Sequence, residues 1–293
     1  MAIVNTNFYS PITSIGFLNL QQTDNAISRS VQKLSSGSRL VNSSEDPSGK
    51  ILANKFKAQV SGMSTATGNA QDAISLLQVA DSALNELSDN LLRMRDLALK
   101  TMNQVTLTAA DVATMQTEFA SLRDDITNKA NATTFNNVTL LDGTLVPGLV
   151  AHVGPDAGTQ YQLTITIQTM VASSIANATT DLANVQLTSD GINSAAGHAD
   201  SALQAISASM TYLSQVQTAV ATQQIRMNGA INILSAEEVN TSAALSRVSD
   251  VDMASEISYF VKLQIIAQAG TAVVANGDTA SQRIVKLLDS LHN

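Results

Sequence analysis

The sequence predicts a mainly α-helical chain, in which both chain ends form a long antiparallel helical hairpin or coiled-coil rod and a small β-hairpin region lies in the middle. Apolar residues recur at heptad spacing in both halves, whereas a period of two appears only between them. Charged residues make up 14% of the chain, against roughly a quarter in ordinary soluble domains. Helices this poor in charge need cover, so we expect the two ends to meet each other and then copies of themselves.

The first helix is predicted from Ser10 to Leu34, followed by Gly37 as a C-terminal cap. Its apolar stripe has the spacing of one helix face and consists of Leu20, Ile27, Val31 and Leu34.

A second, longer helix is predicted from Asp46, an N-cap that is followed by proline at the first helical position, to Asn103. Two glycines, Gly62 and Gly68, allow a bend in it. The sequence continues with a seam of residues seven apart, the spacing of a coiled coil: Leu77, Leu84, Leu91 and Ala98.

A third helix is predicted over Ala109 to Ala130, and after it the period changes. Apolar and polar residues alternate from Tyr161 to Ile167, which predicts a half-buried strand. Weaker strands are predicted at Val138 to Leu141 and at Leu149 to Val153. Together these segments predict a hairpin-rich β region over about residues 135–170.

Helix returns from about Ala196 to Ser246, again with a heptad seam. The last helix is predicted to start near Asp250 or Asp252, because carboxylates favour a helix N-terminus. We expect it to be loosened around Asn276-Gly277 and then to resume. Its apolar stripe includes Ile257, Val261, Ile265 and Leu288.

The composition argues against several classes of function. A net charge of −8 without a basic stripe weighs against a nucleic-acid partner. The chain has no cysteine, and its three histidines are scattered with no ligand partners at metal spacing. We therefore expect no enzyme activity, no catalytic or metal site and no cofactor. We also expect no membrane span and, from the first residues, no secretory signal.

Four separated blocks of sequence resemble bacterial flagellin, in the order of that family. They are KLSSGSRLVNSSEDPSG from Lys33, the heptad segment Asn69 to Lys100, TTFNNVTLLDG from Thr133, and the segment Ala244 to Ala275. The resemblance covers nearly the whole chain.

The resemblance implies a terminal coiled-coil domain, the inner tube, from residues 1–45 plus 250–293, and a rod domain over residues 46–249. Only about 25 residues separate Ile167 from Asn193, so the chain resembles a short flagellin without a large outer domain. The implied function is self-assembly into the helical filament of the bacterial flagellum for motility, outside the cell. The implied route is type III export without a cleaved signal peptide.

The sequence suggests two sets of contact residues. The charge-poor terminal stripes leave no obvious solvent face, so they are the expected inner-tube contacts: Leu20, Ile27, Val31, Leu34, Ile257, Val261, Ile265 and Leu288. By resemblance, Arg93, Leu97 and Glu118 map onto a rod contact that some flagellins also present to a Toll-like receptor. The alternative for Arg93 and Glu118 is a solvated helix face with ion pairs.

Two rival functions stay open at this point. A hook–filament junction protein shares the terminal design but does not polymerise at length, and the segment Ser43 to Pro47 resembles its loop. A cytosolic coiled-coil scaffold would show charged positions beside its seams, which are sparse here. Besides the chain itself, the implied partners are a flagellar export chaperone, hook-associated and cap proteins, and an innate immune receptor.

Overall fold

A computed structural model describes residues 11–103, 105–145, 148–175, 182–187 and 192–290. Most of these residues are helical, in α1 (Pro11–Ser36), α2 (Pro47–Met102), α3 (Ala109–Ala132), α4 (Ile192–Ser249) and α5 (Met253–Ser290). Two antiparallel strand pairs lie between α3 and α4 in sequence: β1 (Thr134–Phe135) with β2 (Val138–Thr139), and β3 (Leu149–His152) with β4 (Gln162–Ile165). The predicted mainly α fold with a small central β region is confirmed.

The chain divides into two compact units. The first contains α1, the start of α2 as far as Lys57, the end of α4 from Thr241, and α5. The second spans Ala58–Asn240 and contains the remainder of α2 and α4 with α3 and both strand pairs.

Short-range capping signals set the helix ends in the first unit. Gly37 follows α1 with a φ of +67°, a conformation that glycine adopts without strain. The Asp46 carboxylate accepts a 2.8 Å hydrogen bond from the Gly49 amide and caps α2. Of the two carboxylates considered for the start of α5, the one that caps it is Asp252, which accepts a 3.0 Å bond from the Ala254 amide.

The two connections between helices in this unit are bonded to each other. Ser38 and Asp250 form an isolated antiparallel bridge. The Arg39 amide donates to the Ser249 carbonyl at 2.7 Å, and the Val251 amide donates to the Gly37 carbonyl at 3.0 Å. The end of α1 is thereby tied to the start of α5.

One expectation about α5 is wrong. The helix continues through Asn276 and Gly277 without a break, since one glycine in a helix costs only about 1 kcal/mol relative to alanine. Met253–Gly277 is also long and apolar enough, by length and composition, to cross a membrane. The charged residues of that stretch are Glu256 and Lys262, and the others are apolar, small or uncharged polar residues.

The heptad seams form the core of the second unit. The side chains of Leu77, Leu84 and Leu91 on α2 are fully buried, as are Ile206 and Val220 on α4. The core also contains α3 and the chain after β4, through Phe119, Ile126, Met170 and Leu182.

A tight turn closes the first strand pair. Asn136 and Asn137 have φ values of +48° and +66°, the combination that a two-residue hairpin turn requires. In the second pair, β4 is shorter than predicted, because Tyr161 belongs to a turn of 3₁₀ helix and the buried Ile167 lies beyond the last paired residue, Ile165.

The glycines inside α2 do not interrupt the helix. At Gly62 a Cβ atom would lie 2.8 Å from the Pro155 carbonyl oxygen, whereas nothing lies within 4 Å of a Cβ at Gly68. Gly62 therefore gives the loop after β3 room to lie against the helix.

Candidate assembly surfaces

The helices α1 and α5 form an antiparallel pair. A Cβ atom at Gly16 would lie 2.7 Å from Val274, and one at Gly270 would lie 3.7 Å from Leu20. Nearer the connections, the Ser30 hydroxyl donates a 2.5 Å hydrogen bond to the Glu256 carboxylate. These contacts place the start of each helix beside the end of the other.

The predicted inner-tube residues fall on two different surfaces of this pair. Leu20, Ile27 and Leu34 are half-buried on α1. In contrast, a second group remains exposed over 45% to 61% of its surface: Val31, Ile257, Val261 and Ile265. The side chain of Leu288 lies outside those that the structure describes.

The exposed group has neighbours that the sequence analysis did not name. On α1 these are Ile15, Phe17 and Leu18, and on α5 they include Ile266 and Val273. The apolar run from Ile15 to Leu18 was a usable signal, because so many large apolar side chains cannot all face one partner helix. Contiguous exposed apolar surface marks an interaction site in a folded protein.

The second predicted surface lies on α2 and α3. The Arg93 Nε donates to the Glu118 Oε1 at 2.7 Å, and both side chains are about half-exposed. Lys129 and Glu86 form a second ion pair between the same two helices, at 2.8 Å. Leu97 is only 2% exposed and packs in the core, so its assignment to this surface is corrected: it lies on the inner face of α2.

Two shifted pKa values in the described residues have structural causes. Hydrogen bonds from Thr108 lower the pKa of Asp111 at the start of α3, where the two residues form a capping box. Burial raises the pKa of Tyr212. Within the described part of the chain no group of three or more histidine, aspartate or glutamate side chains could hold a metal ion.

Comparison with known proteins matches both ends of the chain to one family. Residues 4–145 match the model of the bacterial flagellin N-terminal helical region, and residues 203–288 match that of the C-terminal helical region. The flagellin of Bacillus subtilis (strain 168) is 32% identical over 299 residues, covering 94% of this chain and 98% of the relative. The flagellin of Halalkalibacterium halodurans is 34% identical over 274 residues, covering 92% and 93%.

A solved structure supports the fold. A putative flagellar hook-associated protein from Vibrio parahaemolyticus superposes with a TM-score of 0.57, covering 70% of this chain and 100% of that one. At 18% identity this likeness concerns the fold alone, so nothing favours the hook–filament junction alternative over a filament subunit. Because both chain ends match the family models and the known relatives match along nearly their whole length, the chain belongs to the bacterial flagellins, structural and non-enzymatic proteins that polymerise into the extracellular flagellar filament.

Proposed function

We propose that the exposed apolar residues of α1 and α5 form the innermost contacts between subunits of the filament. The observation that carries this proposal is the exposure of Ile257, Val261 and Ile265 on α5 and of Val31 on α1. Full burial of one such side chain is worth about 1.5–3 kcal/mol. The half-buried residues Leu20, Ile27 and Leu34 contribute their remaining area, and Leu288 is assigned to the same set from the sequence.

A contact between two different surfaces of one chain generates an open polymer when it does not close into a ring. The exposed apolar residues of α1 are not the same types, in the same order, as those of α5. The two helices therefore offer two different surfaces, as a head-to-tail contact requires. The same apolar area is covered again in every added subunit, so its free energy accumulates along the filament.

A pair of substitutions tests the assignment. Ile265→Asp adds a charge to the exposed apolar group, whereas Gln268→Asp adds the same charge at an exposed polar position three residues along α5. We expect the first variant to remain soluble and the second to form filaments, as seen by electron microscopy and sedimentation. Filaments of normal length from Ile265→Asp would contradict the assignment.

We also infer that both ends gain their full order on polymerisation. Among the described residues of the first unit only Ser30, Leu40, Ala53 and Leu263 are buried, so little apolar burial offsets a backbone ordering cost of about 1–2 kcal/mol per residue. Limited proteolysis of soluble chain should remove both ends and leave a core close to Ala58–Asn240. Ends as resistant as that core would overturn this inference.

The export route is part of the proposal. We infer export through the flagellar type III channel without cleavage, with a chaperone on the last helix beforehand and contact with hook-associated and cap proteins at the filament ends. The apolar, largely exposed α5 supports a need for cover before assembly. The intact mass of subunits from sheared filaments tests the absence of cleavage, since a removed leader would shorten the chain.

For the ion-paired surface we favour a contact between neighbouring subunits of the rod, carried by Arg93 and Glu118. Their side chains remain about half-exposed while paired, so unused hydrogen-bonding capacity faces outward. Recognition by a Toll-like receptor is the second candidate for this surface. Direct binding of soluble chain to the receptor ectodomain, compared for wild type and Arg93→Ala, separates the two.

A further inference from the structure

The surface by which α1 contacts α5 is unusual for a coiled coil. Apart from Ala26 and Lys33, its described buried and half-buried positions on α1 alternate at spacings of four and three residues: Gly16, Leu20, Thr23, Ile27, Ser30 and Leu34. Such spacing is that of a heptad seam, but half of these positions hold glycine, serine or threonine. Apolar periodicity alone therefore fixes the alignment of the two helices poorly.

One glycine makes one alignment of the two helices fit better than others. Gly16 lies where a Cβ would be 2.7 Å from Val274, so a large side chain on α5 occupies the gap that this glycine leaves. On the other helix Gly270 lies opposite Leu20, with a Cβ position 3.7 Å from that side chain. At that distance a Cβ would make an ordinary van der Waals contact, so Gly270 shows which residues face each other, whereas at Gly16 a Cβ would displace Val274.

A polar pair marks the other end of the seam. Ser30 is 1% exposed, and its hydroxyl donates to the Glu256 carboxylate at 2.5 Å. A buried hydroxyl or carboxylate without its partner costs more than the pair gains. A single polar position within a seam is a known means of fixing register in coiled coils.

We propose that Gly16 and the Ser30–Glu256 hydrogen bond encode the register of α1 against α5. A slip of one heptad would bring Leu20 opposite Leu263 or Gly277 in place of Gly270, remove the gap filled by Val274, and separate Ser30 from Glu256. The register decides where Val31 lies relative to Ile257 and Val261 on the exposed face. This inference rests on the proposed function, because those residues are the proposed contacts between subunits.

Cysteine cross-linking can measure the register, since the chain has no cysteine of its own. One reporter, Leu20→Cys with Gly270→Cys, joins positions that face each other in the observed register. The second, Leu20→Cys with Leu263→Cys, joins positions that meet after a slip of one heptad. The quantity measured is the ratio of intramolecular disulfide in the second reporter to that in the first, in filaments.

Ser30→Ala and Glu256→Ala should each raise this ratio about tenfold, the effect of losing a hydrogen bond to a charged group. Glu256→Gln keeps an acceptor oxygen but loses its charge, so its ratio should lie between that of the wild type and that of Glu256→Ala. The control is Ser258→Ala, because Ser258 is exposed and its hydroxyl bonds only within α5, to the Ala254 carbonyl. Gly16→Ala tests the packing part in the same assay and should also raise the ratio.

An unchanged ratio in Ser30→Ala and Glu256→Ala overturns the inference, because the backbone bridge between Ser38 and Asp250 would then set the register alone. Loss of the first cross-link without gain of the second also overturns it, since the pair would be loosened and not shifted. An equal rise of the cross-linking ratio in the control Ser258→Ala would also overturn the inference, because the effect would not be specific to the Ser30–Glu256 bond. Failure of the proposed subunit contacts would give a different result. In that case Ile265→Asp would still form filaments, although the cross-linking ratio stayed at its wild-type value.

Discussion

The guanidinium of Arg39 donates a 3.0 Å hydrogen bond to the Val248 carbonyl, so the connection after α1 supplies a cap for the carboxyl end of α4. A cation is favourable there because the last carbonyls of a helix carry partial negative charge. The contact joins segments 209 residues apart in the chain.

We predict that Arg39→Ala loosens this junction. The backbone bond from the residue 39 amide to Ser249 remains, while the loss of one charge-assisted hydrogen bond at an exposed position costs about 1 kcal/mol. The amides of Asp250 and Val251 should exchange with deuterium roughly five times faster. The control is Arg29→Ala, since Arg29 bonds only to Asn25 of its own helix; equal exchange in both variants would contradict the cap.

Two glycines of one helix give a matched stability test. Gly68→Ala meets nothing within 4 Å and should raise the melting temperature, because alanine is favoured over glycine in a helix by up to about 1 kcal/mol. Gly62→Ala should lower it, since its Cβ would lie 2.8 Å from a Pro155 backbone atom. A stabilising Gly62→Ala would show that the loop after β3 moves away freely.

The sequence predicted what depends on short-range signals and on strong periodicity. Gly37 and Asp46-Pro47 mark helix ends through local backbone geometry, and the Leu77 seam buries the same residues that its spacing selects. The need for glycine at position 62 was not predictable. It arises from close contact with Pro155, which lies 93 positions further along the chain.

A charge reversal separates two roles of the ion pair on α2 and α3. An exposed pair contributes about 0–1 kcal/mol, so Arg93→Ala should hardly change the melting temperature. If the two charges serve contacts between subunits, Arg93→Ala impairs filament formation, and the double reversal Arg93→Glu with Glu118→Arg does not restore it. Full restoration by the double reversal, judged by electron microscopy and swimming, would assign the pair to the stability of one chain.

The stability of the β region should depend on pH through Asp142. Burial opposes ionisation of this group, but hydrogen bonds from Thr139 and Thr144 outweigh it and hold the pKa below the ordinary 3.8. A lowered pKa in the folded state contributes stability above pH 3.8 that is lost as the pH falls through the lowered value. The difference in melting temperature between wild type and Asp142→Asn should therefore shrink below about pH 4; a difference constant from pH 7 to pH 2 would contradict it.

The terminal helices show where sequence reasoning ends. Ile257, Val261 and Ile265 form the most apolar row of α5, yet the side of α5 that meets α1 includes Glu256 and Gly270. A periodicity search gives weight to large apolar residues, whereas close helix contact here uses small ones. Leu97 illustrates a related difficulty, since a family motif gives a position on a helix but not the face that the core covers.

The proposed inner contacts are tested most directly by a cryo-EM map of filaments assembled from this chain, at a resolution that shows side chains. We predict that α1 and α5 lie nearest the filament axis and that Ile257, Val261 and Ile265 of each subunit contact a neighbour. A map in which these three side chains face solvent, while the subunits are joined only through other surfaces, would contradict the account.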